Sequence, residues 1–195
     1  MSDPTPPTLP PELAADWAEA SSTTETVMRV RSMVVSVATR VYDDERLREA
    51  VADAGGPDAT LRFCFASECS VPGTDHSGAL RKLVTSRAKS GFTERLEERG
   101  FEAVRETSRR TLRVDEDEVT AFGYEARCPL AGVTVGVEGW LTVRPGGSGT
   151  FFLVGGAYPT GVLSVDDDAA AAAVSEHVDP ESFRADLFSI LRSVP

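Results

Sequence analysis

EAVRETSRRTLRV (102–114), EVTAFGYEARC (118–128), GVTVGVEGWLTVR (132–144) and TFFLVGGAY (150–158) follow one another with only short polar breaks between them. Each is rich in Val, Thr, Phe, Tyr or Trp, the residues that suit a pleated, half-buried surface. Asp115-Glu-Asp-Glu118 after the first and Pro145-Gly-Gly-Ser-Gly149 before the last are turn sequences. Strands joined by hairpins pair antiparallel, so the stretch predicts a four-strand meander. In its third strand Val133, Val135, Val137, Leu141 and Val143 fall on one face, and Glu138 and Trp140 on the other. With 115–118 as the loop, Arg109 faces Tyr124 and Arg113 faces Thr120.

Upstream, residues 26–42 read as one long strand rich in Val and Met. Its apolar phase switches, because Met28 and Val30 are even positions whereas Val35, Val37 and Val41 are odd. A bulge or a sharp bend near Met33–Val35 would reconcile the two. Asp43 and Asp44 are caps for a helix through Ala54, which Gly55-Gly-Pro57 ends. Leu61, Phe63 and Phe65 alternate into another strand. Residues 78–101 are helical with a drifting stripe: Leu80, Leu83, Val84 and Gly91 share a side, and Phe92 and Leu96 lie well round from it. A kink or break at Ser90-Gly91 accounts for that drift. Residues 164–179 read as a solvated linker, and 180–193 as an amphipathic helix burying Phe183, Leu187, Ile190 and Leu191. The order predicts an α+β fold, an antiparallel meander sheet of about six strands with helices packed on it.

The chain has 195 residues, enough for one domain with a real core. Residues 1–25 form a Pro-rich, flexible N-terminal segment with room for a short helix over 11–20, and 26–195 form a single α+β domain. The formal net charge is -11, and it is uneven. Residues 1–26 and 115–195 are acidic, whereas between 81 and 113 there are ten bases and five acids. Lys82 and Lys89 are the only lysines among 20 basic residues, and Asn and Gln are absent. Acid excess with Arg favoured over Lys points to an extreme halophile, where carboxylates hold water and salt screens their repulsion. The missing amides exclude a Cys-His-Asn triad, an amide oxyanion donor and amide readout of adenine.

Net acidity argues against nucleic acid as a partner. The start lacks a basic region followed by an apolar one, and no apolar run approaches the ~20 residues of a membrane span. These features indicate a soluble, cytoplasmic protein. Cys64, Cys69 and Cys128 are an odd set, with spacings to each other and to His76 that match no standard zinc site. His76 and His177 are the only histidines, and neither has a triad partner that could converge from neighbouring positions. No catalytic residue, metal ligand or cofactor site is therefore assigned.

Two features remain as contact candidates. Arg105, Arg109 and Arg113 share one strand face with Thr107 and Thr111, beside Tyr124, and suit an acidic partner. Gly155, Gly156 and Tyr158 lie in a glycine-dense loop over 155–161, where bare backbone permits close approach. Gly91-Phe-x-x-Arg-Leu-Glu-Glu-Arg-Gly-Phe101, then Gly139-Trp140-Leu141 and Phe151-Phe-Leu-Val-Gly-Gly-Ala-Tyr-Pro159, resemble uncharacterised haloarchaeal proteins. The strand order over about 26–160 is similar to that of the PsbP-like photosystem extrinsic proteins, a resemblance that implies an α+β sandwich binding proteins or ions. Relatives of that kind often carry a signal and a lipid-anchor cysteine; neither is expected here, which argues against an envelope role. The leading expectation is a non-catalytic soluble binding or interaction domain whose partner is an unknown protein or small anionic ligand. A small hydrolase-like or metal-dependent enzyme using His76 and a cysteine, and a structural homodimer joined through the long strand 26–42 or an exposed sheet face, are the alternatives.

Overall fold

The computed structural model describes residues 4–30, 33–71, 77–147 and 149–194, with side chains left aside at 28–33. The elements run α1 (Pro11–Ala14), β1 (Ala18–Val30), β2 (Met33–Asp43), α2 (Glu45–Asp53), β3 (Phe63–Ser70), α3 (Gly78–Glu98), β4 (Glu102–Val114), β5 (Asp117–Leu130), β6 (Val133–Pro145), β7 (Thr150–Val165), α4 (Asp168–His177) and α5 (Pro180–Ser193). The strands form one open antiparallel sheet in the order β1-β2-β3-β7-β6-β5-β4. The fold is thus α+β, with seven strands rather than about six. No helix among the described residues is long and apolar enough to cross a membrane.

The extra strand comes from 26–42, read above as one bulged strand. It is the end of β1 and most of β2, paired antiparallel from Ala18↔Asp43 to Val30↔Met33. The phase switch therefore marks the passage from one strand to its partner. Arg31-Ser32 between them has neither the glycine nor the Asn or Asp that two-residue hairpin turns favour, which is why the hairpin escapes a composition-based reading; that pair lies outside the described residues. The short helix expected over 11–20 is confined to Pro11–Ala14, and the chain is strand from Ala18 onward. Leu9 is buried, and its N–H donates to the Tyr42 hydroxyl at 3.3 Å.

Two helix expectations also change. α3 runs for 21 residues from Gly78 to Glu98, so the chain does not break at Ser90-Gly91. At 1.5 Å per residue such a helix spans ~31 Å and crosses the sheet, so its buried side turns as it goes. Leu80 and Val84 pack near Cys69, Val71 and Phe151, while Phe92 and Leu96 enter the main core. Gly100, at φ +85, takes the left-handed conformation that lets the chain leave α3. The supposed linker over 164–179 is the end of β7 followed by α4. Asp167 caps α4 by accepting from the N–H of Ala169 at 2.9 Å, and Ala170, Ala173 and Val174 are buried. Five successive alanines are strong helix formers that also fit a close helix–sheet contact, but their small size hides the apolar stripe.

Helices cover both faces. On one, Phe92 of α3 meets Tyr124 edge-on at 5.1 Å and Phe65 at 5.8 Å. A Cβ on Gly139 would lie 3.2 Å from the Phe92 ring. Trp140, one residue on, points to the other face and meets Phe188 of α5 edge-on at 4.9 Å. There the buried Arg62 donates to Asp44 at 3.0 Å and to Asp186 at 2.9 Å, between the rings of Trp17 and Phe183. It joins the α2 cap, α5 and the chain after α1.

The densest layer surrounds β7. A Cβ on Gly156 would sit 2.5 Å from the Phe63 carbonyl oxygen and 2.9 Å from Leu187, and one on Gly155 would sit 2.8 Å from both the Phe65 ring and the Trp140 carbonyl oxygen. Backbone cannot yield there as a side-chain tip can. Gly156→Ala is expected to destabilise the chain by about 2–3 kcal/mol through overpacking, read as a lowered urea midpoint. An unchanged midpoint would contradict this packing.

Candidate functional site

The β4–β5 turn is shorter than 115–118. Val114 pairs with Asp117, so only Asp115 and Glu116 turn, with Asp115 at φ +53. The register moves by two: Arg109 lies opposite Phe122 and Arg113 opposite Glu118, rather than Tyr124 and Thr120. Asp tolerates the left-handed region, so it turns the chain without a glycine. A second irregularity, between Glu106 and Ser108, adds a residue to β4. It reverses the alternation, placing Arg105 on the face opposite Arg109 instead of beside it. Arg105 donates across the strand pair to Glu125 at 2.9 Å.

On the α3 side, charged groups converge at the helix–sheet seam. Arg109 donates from Nε to Glu106 Oε1 at 2.6 Å, and Lys89 Nζ lies 2.5 Å from Glu106 Oε2. Both cations sit over the Phe122 ring, at 5.4 and 5.0 Å. Burial works to raise the Glu106 carboxyl, but the hydrogen bonds from Lys89 and Arg109 outweigh it and hold the group below the ordinary glutamate value. Tyr124 is buried next to them, and its hydroxyl has no hydrogen-bond partner. Burial and the Glu106 charge push that phenol up, so it stays protonated at neutral pH. Structure thus gathers Arg109 and Tyr124 and adds Lys89 and Glu106. Arg113 is exposed further along the same strand.

Gly155, Gly156 and Tyr158 are elsewhere, inside β7 and buried, where a loop was expected. β7 runs on through them because its β-prone residues are hydrogen-bonded on both sides, which overrides the glycines. Tyr158 belongs to a network that sequence reading missed. Glu138 Oε1 accepts from Trp140 Nε1 at 2.6 Å and from the Tyr158 hydroxyl at 2.5 Å, while Arg184 of α5 donates to Oε2 at 2.6 Å. Burial raises the Glu138 carboxyl, yet these donors prevail and it stays below its usual range. Burial first, then Glu138, pushes the Tyr158 hydroxyl up to about 12. The placement of Glu138 and Trp140 on one strand face was the available signal; Arg184 had none.

The thiols are all buried and unpaired with one another. Burial pushes Cys69 and Cys128 up to about 11 and Cys64 further, which keeps each neutral and unreactive. His177 holds its Nδ1 2.9 Å from the Ala173 carbonyl oxygen at the end of α4. His76 and Asp75 lie outside the described residues. Among the described residues no group of three or more His, Cys, Asp or Glu is placed to hold a metal ion.

Because the folded state lowers the Glu138 value, its stabilisation is present above 4.5 and fades as pH falls through the lower folded value. Glu138→Gln is expected to cost about 1–3 kcal/mol at pH 7. The gap to the parent should narrow in acid, measured by urea unfolding at pH 7 and below 4. A gap that stays constant would show that the carboxylate charge is not what holds α5.

No curated protein and no solved structure matches the chain. A family match does extend over nearly all of the sheet and helices just described, from residue 6 to residue 195. On that match the chain belongs to DUF6517, a domain of unknown function.

Proposed function

We propose that this chain is a non-catalytic binding or interaction domain of an extremely halophilic organism. Its contact surface is the arginine-bearing β4 edge with the neighbouring Lys89–Glu106–Arg109 seam. The partner is an acidic protein or small anionic ligand. One observation carries the reading: β4 is the outermost strand, and Arg105, Arg109 and Arg113 are exposed along it in a chain of net charge -11. Guanidinium forks there match carboxylates geometrically, and a hydrogen-bonded fork is less sensitive to salt than a bare charge. Bulging and charge also protect the strand from indiscriminate edge pairing. The resemblance to haloarchaeal proteins and to PsbP-like binding domains supports the reading. Three unpaired thiols suit a reducing, cytoplasmic setting.

The enzyme alternative loses its cysteines as nucleophiles, since all three are held neutral by burial. The homodimer reading keeps one supporting observation, the other edge strand. β1 is exposed at every described side chain, so a second copy could pair there.

The test is retention of the full chain on an immobilised deca-glutamate peptide at 0.1 M and 2 M KCl. Arg105→Glu, Arg109→Glu and Arg113→Glu together should lower the affinity by about 1,000-fold, roughly one decade for each of the three lost charge-assisted contacts. Equal retention of the parent and the triple variant would refute the assignment.

A further inference from the structure

Away from the β4 edge, a groove of about 320 Å³ lies between α3 and the β1–β2 hairpin, and a narrower one of about 150 Å³ lies beside it. Val37, Ala88, Gly91 and Leu153 line both, so the two join into one channel. Its sheet wall belongs to a single face. Val37 pairs directly with Cys69, Thr39 with Ser67 and Ser67 with Leu153, and directly opposed residues share a face. α3 closes the channel with Val84, Ala88, Gly91 and Arg95, which recur at helical spacing. No residue of the β4 contact surface or its seam lines it.

The wide part is apolar and open. Val27 from the sheet and Leu83 from the helix are 56% and 51% exposed along it, so apolar surface that most folds bury faces water here. A Cβ on Gly91 would meet nothing within 4 Å. The narrow part is polar at its edge. Arg95, exposed on α3, lines it and forms no ion pair among the described residues. The Thr39 and Ser67 hydroxyls line it too and share one hydrogen bond of 2.8 Å, which uses only one of their two O–H groups. No acidic residue lines this part, whereas in the wide part Arg87 is accompanied by Glu94.

That division selects the ligand. A small polar anion would meet Arg95 and leave the apolar walls in water. An apolar cation would cover the walls and oppose Arg95. A peptide segment would bring backbone polar groups into a cleft with few partners for them. An anionic head on an apolar tail meets both parts. We propose that this channel binds a single-chain amphiphilic carboxylate of the fatty-acid class, its head on Arg95 beside the Thr39–Ser67 pair and its tail passing Ala88 toward Leu83 and Val27. From Thr39 to Val35 the sheet wall runs ~13 Å at about 3.3 Å per residue, which suits a tail of medium length.

Calorimetric titration of the full chain, below micellar concentrations, compares decanoate with butyrate and with decyltrimethylammonium, which change the tail and the head in turn. Decanoate should bind saturably, at least about 100-fold tighter than butyrate and at least about 10-fold tighter than the cation. Arg95→Gln should weaken decanoate by about 10-fold or more, and Arg87→Gln by clearly less. Ala88→Leu, which fills the point where the two parts join, should also weaken it by about 10-fold or more. Arg95 is exposed, so its variant keeps the test decisive if Ala88→Leu fails to fold. Absence of saturable decanoate binding, or equal binding of butyrate or of the cation, would overturn the site. So would undiminished binding in Arg95→Gln or in folded Ala88→Leu, or a loss in Arg87→Gln as large as that in Arg95→Gln.

Discussion

β7 enters the sheet last in sequence yet sits in its middle, hydrogen-bonded to β3 on one side and to β6 on the other. Without it the sheet would be two pieces, β1–β3 and β4–β6, each with an open edge. Closing the β3–β7 pair requires the whole meander to be in place, so the most distant pairing in sequence is also the one that unites the core. Gly155 and Gly156 make the junction possible. They remove two side chains where Phe65 closes from the α3 side and Leu187 from the α5 side. Sheet and helices then approach more closely than any Cβ would allow.

The junction also fixes where the chemistry can be. Its centre is apolar on both faces, and the buried charges beside it face opposite charges. Arg62 is held by Asp44 and Asp186, and Glu138 is enclosed by Trp140, Tyr158 and Arg184. Both anchor helices, because a charge taken from water is held where opposite charges face it, although Arg62 Nε itself keeps no hydrogen-bond partner. Reactive or recognisable groups are left to the periphery: the β4 arginines, the seam under α3 and the channel beside Arg95. A rigid middle and a decorated rim suit recognition, since little has to be ordered when a partner arrives.

Much of the sheet was legible in the sequence. The β5 and β6 segments are rich in β-prone residues between short turns, and Asp44, Gly100 and Pro180 mark helix ends with standard cap chemistry. The departures share a physical cause: local signals that tertiary contacts override. A turn-poor Arg31-Ser32 concealed a hairpin, and alanine concealed a helix. Glycines in β7 imitated a loop although pairing on both sides holds them extended. The candidate site was half legible. Arg109 and Tyr124 do gather, but a single added residue near Thr107 sends Arg105 to the opposite face. No composition rule places a bulge. Glu106 and Lys89 join the cluster from separate elements, which only the packing of α3 on β4 reveals.

Amide hydrogen exchange under native conditions tests the unifying role of β7 most directly. If β7 joins the two halves, the amides of Val154 through Ala157 exchange only through global unfolding, with a free energy equal to that from urea denaturation. Those of β1 and β4 exchange through smaller openings. Exchange of the β7 centre at a free energy well below the global value, or unfolding of β1–β3 separately from β4–β6, would contradict the account.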